Sequence, residues 1–177
     1  MSILIHIYFS KLCCRTDIRK LQSKISSLGY NVNLYRKSNG GIGCDNGYYV
    51  SVSHTINFSA LAISNQPLGV DIESIKKTKL PLADTIFTLA EKERLMHTYE
   101  FATEYMKIFT AKEAYLKFKG IGILNPLSEI ETTSKCNISQ DIVPIKHYYV
   151  NGSLILAVCG QGLVSFRNQT KLKFNTI

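Results

Sequence analysis

The order of elements read from this sequence, strand–helix–strands and then strand–helices–strands, predicts an α+β fold of two unequal lobes meeting near Gly69. Three local signals support it. Gly69-Val70-Asp71-Ile72-Glu73 alternates apolar and acidic residues with the period of two that a strand imposes. Downstream, a run of good helix formers spaces Phe109, Glu113 and Lys117 four apart, along one helical stripe. Val150-Asn151-Gly152-Ser153 lies between β-rich runs, and Asn-Gly there signals a type I′ hairpin. The expected division is an N-terminal lobe of residues 1–68 and a C-terminal lobe of residues 69–177.

Taken in order, the apolar residues 3–9 read as a buried strand. They are too few to span a bilayer, no basic residue precedes them, and Lys11 and Arg15 follow where a signal peptide would have a small-residue cleavage site. Residues 17–28 have helical periodicity, with Thr16 or Asp17 as cap and Gly29 as terminator. Residues 31–36 read as a second strand and 38–43, with three glycines, as a loop. Residues 48–52 and 57–64 are rich in β-formers, and a turn at Asn65-Gln66-Pro67 is expected to fold the latter into the 68–73 strand as a hairpin. Helices are expected at 82–87, 89–99 and 103–119, the last stopped by Gly120 and Gly122. Strands follow on either side of Asn151-Gly152, and residues 163–166 form a last one.

Composition narrows the class. With 45% hydrophobic residues and mean hydropathy near zero, the 177 residues suit a soluble globular chain with a sizeable core. The net charge of +8 fits an anionic ligand, an acidic protein partner or nucleic acid, and does not choose among them. The basic residues are dispersed and no RNA- or DNA-binding motif is visible, which speaks against nucleic acid. Cys13, Cys14, Cys44, Cys136 and Cys159 are odd in number with no C-x-x-C pair, so they outline neither a zinc ribbon nor a disulfide framework. Reduced thiols of a cytoplasmic protein are the simple reading.

Strand alternation places Asp71 and Glu73 on one face. A helix docked beside them would bring up Glu113, Lys112 and Lys117. Carboxylates that close repel one another unless a cation joins them, and Mg²⁺ takes a few carboxylates together with substrate phosphates. The lysines then suggest a phosphorylated substrate. Each group has a plainer reading. Asp71 and Glu73 could be the wet face of an edge strand, and Glu113 and Lys117 an ordinary surface pair. His54 could be a structural hydrogen-bonder, and Glu91 a helix N-terminal carboxylate three residues after a Thr88 cap. Lys11, Arg15, Arg36 and Lys37 could be solvated charges.

A Gly-Val-Asp-Ile-Glu strand followed by a helix with Phe109-x-x-Lys112-Glu113-Ala114-x-x-Lys117 resembles the 4′-phosphopantetheinyl transferase superfamily. Val52-Ser53-His54 and Phe87-Thr88-Leu89-Ala90-Glu91 are similar to two supporting segments of that family, so the likeness covers roughly residues 50–120. It implies two similar lobes packed as a pseudo-dimer. Because a whole lobe precedes the Gly-x-Asp motif, a compact Sfp-type monomer is expected rather than the shorter trimeric type. The implied activity is transfer of phosphopantetheine from coenzyme A to a serine of an acidic apo carrier protein, with no nucleic acid or membrane as partner. The implied metal is Mg²⁺, replaceable by Mn²⁺, held by Asp71, Glu73 and Glu113. Lys112 and Lys117 would clamp phosphates, and Ser53, His54 and Lys37 would contact the coenzyme, His54 at its 3′-phosphate. Glu113, directly or through a metal-bound water, would take the serine proton, with Glu91 in reserve. Two departures stand out: Phe109 replaces the family's tryptophan, and the usual Gly-Lys-Pro is replaced by Gly40-Gly41-Ile42-Gly43 behind Lys37. The alternative from another class is a non-catalytic relative or a basic nucleic-acid-binding module.

Overall fold

Side-chain alternation along the central strands decides how this chain is layered. The computed structural model describes residues 2–9, 17–55, 58–75, 83–121, 126–132, 137–138, 143–168 and 173–176. Its elements in order are β1 (Ser2–Phe9), α1 (Ile18–Ser27), β2 (Leu34–Arg36), β3 (Ile42–Cys44), β4 (Tyr49–Thr55), β5 (Phe58–Ser64), β6 (Gly69–Ser74), α2 (Leu89–Met96), α3 (Phe101–Lys119), β7 (Asn137–Ile138), β8 (Val143–Val150), β9 (Leu154–Cys159), β10 (Leu163–Asn168) and β11 (Phe174–Thr176). One sheet has the order β10-β1-β5-β4 and a second the order β11-β8-β9-β6, with β7 added to β8.

In β5, Leu61 and Ile63 pack with Leu21 and Ile25 of α1, while Ala60 and Ala62 point the other way, into a cluster with Val70, Ile72, Leu156 and Val158 of the second sheet. Strand β9 repeats the pattern, because Ala157 and Cys159 join Ala111, Ala114 and Tyr115 of α3 on the far side. Period two thus yields helix, sheet, sheet, helix, with each apolar face covered by its neighbour. Leu21 and Ile25, both fully buried, contribute about 1.5–3 kcal/mol each by removing their side chains from water.

The first helix starts where expected: the Asp17 side chain accepts from Arg19 N at 3.0 Å and Lys20 N at 3.3 Å, satisfying amides with no partner inside the helix. Gly29 follows it at φ +89°, as a terminator should. At the Asn-Gly turn, Asn151 and Gly152 both have positive φ and Ser153 N donates to Val150 O, the hairpin expected there. Thr16 and Gly122 lie outside the described residues.

Three expectations change. The stretch 38–43 is not all loop, because Ile42–Cys44 pairs with β2, and Gly43 leaves room for the ring of its partner Tyr35, which a Cβ would meet at 2.3 Å. Residues 83–86 make a turn instead of a helix, since Thr88 must be extended to cap α2. Strands β5 and β6 do not form a hairpin: β6 pairs with β9, Gly69 opposite Cys159, which stacks their apolar faces instead of laying them side by side. The expected last strand is present as β10, which pairs in parallel with β1, Ser2 opposite Leu163, so the first sheet draws on both halves of the chain.

Candidate active site

Gly69 sets the site because it lets β6 lie against α3. A Cβ there would stand 1.9 Å from Ala114 O and 2.5 Å from Phe118 N, so only glycine permits this approach. Two residues on, the same face carries Asp71, now in reach of α3. Lys117 Nζ donates to Asp71 Oδ1 at 2.7 Å and to Val70 O at 3.0 Å. Lys117 therefore pairs with the strand, not simply with Glu113 along its own helix.

From the other side β4 meets β6 through serine hydroxyls. Ser51 Oγ accepts from Val70 N at 3.0 Å and Ser53 Oγ accepts from Ile72 N at 3.2 Å. The Ser53 hydroxyl donates to Asp71 Oδ1 at 2.6 Å. Asp71 is only 4% exposed, so the wet-strand-face reading fails and it is a buried carboxylate. Ser53, expected at the coenzyme, is also buried and gives its one proton to Asp71.

A cavity of about 190 Å³ gathers the expected residues: Ser53, His54, Asp71, Glu73, Glu113 and Lys117 all line it, with Val52 and Phe109 as its apolar wall. A larger cleft of about 410 Å³ shares Val52, Glu113 and Lys117 with it and is lined further by Arg36, Lys37, Ser51 and Gly120. The turn between β2 and β3 reaches the C-terminus of α3 here, where Asn39 Nδ2 donates to Gly120 O at 2.5 Å. Arg36 and Lys37 bring positive charge to this end of the cleft, and with Lys117 on the same lining they suit it to an anionic ligand. Lys11 and Arg15 lie outside the described residues.

Lys112 and Glu91 are elsewhere. Both are fully buried, and Lys112 Nζ donates to Glu91 Oε2 at 2.5 Å, to Ile86 O at 2.7 Å and to Leu127 O at 3.0 Å. An ammonium has three donors, and these contacts occupy all of them. Glu91 in turn accepts from Thr88 N, Thr132 N and Thr132 Oγ1, completing the capping box at the start of α2. Burial pushes the Lys112 pKa down, partly offset by the hydrogen bond to Glu91. The pair ties α2, α3 and the 126–132 segment together. Neither lines the cavity that gathers the other expected residues, where a phosphate clamp at Lys112 and a reserve base at Glu91 were expected.

Among the described residues Asp71 Oδ2 is buried with no hydrogen-bond partner, an arrangement that a carboxylate oxygen tolerates poorly unless a cation completes it. With Glu73 and Glu113 on the same cavity, the donor set is all oxygen and fits a hard divalent ion. The carboxylates are not already drawn into a coordination cluster: among the described residues, no three His, Cys, Asp or Glu stand close enough together to hold an ion. Ser51, Thr132 and the backbone of Val70 were not foreseen from sequence. For Ser51 a signal existed, since Val50-Ser51-Val52-Ser53 alternates as a strand with one polar face.

The family model for the 4′-phosphopantetheinyl transferase superfamily matches residues 67–159, more than half of the chain. The chain is 28% identical over 114 residues to 4′-phosphopantetheinyl transferase gsp of Aneurinibacillus migulanus, a match covering 63% of this chain and 48% of that protein. It is 26% identical over 121 residues to 4′-phosphopantetheinyl transferase Sfp of Bacillus subtilis (strain 168), covering 63% and 54%. To Enterobactin synthase component D of Escherichia coli (strain K12) it is 39% identical over 72 residues, covering 39% and 35%. The matched part thus spans about half or less of the length of these relatives. It contains β6, both C-terminal helices and the cavity walls they supply, and on that match this chain belongs to the 4′-phosphopantetheinyl transferase superfamily.

Proposed function

We propose that the chain transfers the 4′-phosphopantetheine group of coenzyme A to a serine of an apo carrier protein, releasing 3′,5′-ADP. The observation that carries this reading is the convergence of Asp71, Glu73, Glu113, Lys117 and His54 on one cavity that shares a wall with a basic cleft. The cleft would take the coenzyme, with Lys37 and Arg36 toward its phosphates and His54 toward the 3′-phosphate. Asp71, Glu73 and Glu113 would hold Mg²⁺, or Mn²⁺ in its place, which would neutralise charge on the pyrophosphate. Lys117, its side chain 25% exposed and anchored on Val70 O and Asp71, would add a fixed positive charge where the leaving group's charge grows. In the transfer, the carrier serine Oγ bonds to the β-phosphorus as the bond to 3′,5′-ADP breaks. Glu113, on the wall common to cavity and cleft, would accept the serine proton.

The net charge of +8 supports an acidic carrier as partner, since complementary charge speeds encounter in a salt-sensitive way. Among the described residues no helix is long and apolar enough to cross a membrane, and Cys44 is a free thiol. A monomer acting in the cytoplasm is the reading we adopt. Two lobes related as a pseudo-dimer form part of the same proposal, with β4 and β6 as the strands that meet between them. The experiment is mass spectrometry of apo carrier proteins after incubation with the chain, coenzyme A and Mg²⁺. A phosphopantetheine mass gain on the serine is expected. No gain on any carrier, together with thermal stabilisation by an oligonucleotide and none by coenzyme A, would transfer the assignment to nucleic-acid binding.

A further inference from the structure

The geometry points to Ser53 as the positioning residue that orients Asp71, holding one carboxylate oxygen so that the other is presented for metal binding. This rests on the reading of Asp71 as a metal ligand. Strands β4 and β6 are joined here by two buried serines: Ser51 Oγ accepts from Val70 N and Ser53 Oγ from Ile72 N. The two differ in one respect, because the Ser53 hydroxyl also donates to Asp71 Oδ1 at 2.6 Å. Accepting from a backbone amide while donating to a carboxylate leaves that hydroxyl one orientation.

The consequence falls on Asp71. An aspartate turns softly about its last torsion, and its two oxygens are interchangeable unless something distinguishes them. Here Ser53 Oγ and Lys117 Nζ, at 2.6 and 2.7 Å, both donate to Oδ1, while Oδ2 is buried with no hydrogen-bond partner among the described residues. Lys117 lines the cavity and is partly exposed, so a phosphate can compete for its ammonium. Ser53 is 5% exposed and cannot be drawn away in the same manner. When Lys117 turns to a ligand, Ser53 is the contact that keeps Oδ2 in place.

The test measures Mn²⁺ affinity by electron paramagnetic resonance of the free ion, in saturating coenzyme A, for wild type, Ser53→Ala, Ser51→Ala and Asp71→Asn. Loss of a hydrogen-bonded partner behind a metal ligand typically weakens affinity about 10–100-fold, and Ser53→Ala is expected in that range. Ser51→Ala removes an equivalent bond to the β6 backbone without touching Asp71; Ser51 also lines the coenzyme cleft, so the comparison is made at saturating coenzyme A, where it should weaken Mn²⁺ binding clearly less than Ser53→Ala even where its urea midpoint falls as far. Equal weakening in both serine variants, or wild-type affinity in Ser53→Ala with affinity lost in Asp71→Asn, would overturn the positioning role while leaving the metal reading intact. Wild-type affinity in Asp71→Asn, or no Mn²⁺ bound by wild type, would overturn the metal reading and this inference with it. Should Ser53→Ala not fold, Ser53→Cys carries the same comparison, since a thiol fills the site of the hydroxyl and is only a weak donor.

Discussion

Lys112→Met separates a structural lysine from a phosphate-binding one. Methionine fills the volume of the stem and deletes the ammonium, which donates to Glu91 Oε2, Ile86 O and Leu127 O. Both members of the ion pair are fully buried, and breaking such a pair by removing one partner costs about 3–5 kcal/mol. Glu91 keeps donors from Thr88 N, Thr132 N and Thr132 Oγ1, so its carboxylate is not stripped bare. The two carbonyls, by contrast, lose a buried donor. The lower end, about 3 kcal/mol, is therefore expected, a large part of the roughly 5–15 kcal/mol available to a domain. Urea denaturation followed by circular dichroism measures the loss. Adding Glu91→Gln to Lys112→Met should recover about 1–2 kcal/mol relative to additivity, because the unpaired charge is then gone. Below the transition, the KM for coenzyme A should be unchanged. A variant with stability within about 0.5 kcal/mol of wild type and a KM raised tenfold would refute the argument and return Lys112 to the phosphates.

Three other outcomes follow from particular contacts. Gly69→Ala places a Cβ 1.9 Å from Ala114 O, about 1.1 Å inside the 3.0 Å that real Cβ contacts respect, so α3 must move away. A loss of about 3 kcal/mol and of about 100-fold in transfer is expected, and full activity would contradict the packing described. His147 is buried, its Nε2 donates to Lys107 O, its Nδ1 has no partner among the described residues, and burial holds its pKa down to about 4 against 6.5 for a free imidazole. The unfolded chain therefore takes up a proton that the folded one refuses, so stability is full above about pH 6.5 and declines as pH falls toward 4. About 2 kcal/mol should be lost between pH 7.5 and 5, measured by urea midpoints, and His147→Gln should flatten that slope; an unchanged slope assigns it to other groups. His54→Ala should raise the KM for coenzyme A more than that for 3′-dephospho-coenzyme A, and equal effects on both would remove His54 from the 3′-phosphate.

Local signals in the sequence were sufficient wherever the determining interaction is itself local. Asp17 and Thr88 cap helices through bonds that span two or three residues, and Asn151-Gly152 makes its turn from its own backbone preferences. The pairing of Asp71 with Glu73 on one strand face, and of Glu113 with Lys117 on one helix face, follows from periods of 2 and 3.6 and survives as the wall of the cavity. The spacing of Gly69 and Lys112 was equally visible, but not their purpose.

Purpose was decided by what the fold brings alongside. Lys112 and Lys117 differ by five positions on one helix, and rotation by five residues sends the first to Glu91 and Leu127 and the second to Asp71. Nothing in the local sequence says which neighbour each will meet. Likewise β6 joins β9 instead of β5, and β10 returns to β1, because strand partners are chosen by which apolar faces can be covered together, a condition on segments far apart in the chain. The serine contacts of β4 belong to the same class. Ser51 and Ser53 serve as acceptors only because two sheet edges meet there, and a hydroxyl read in one dimension cannot announce a backbone amide nearly twenty residues away.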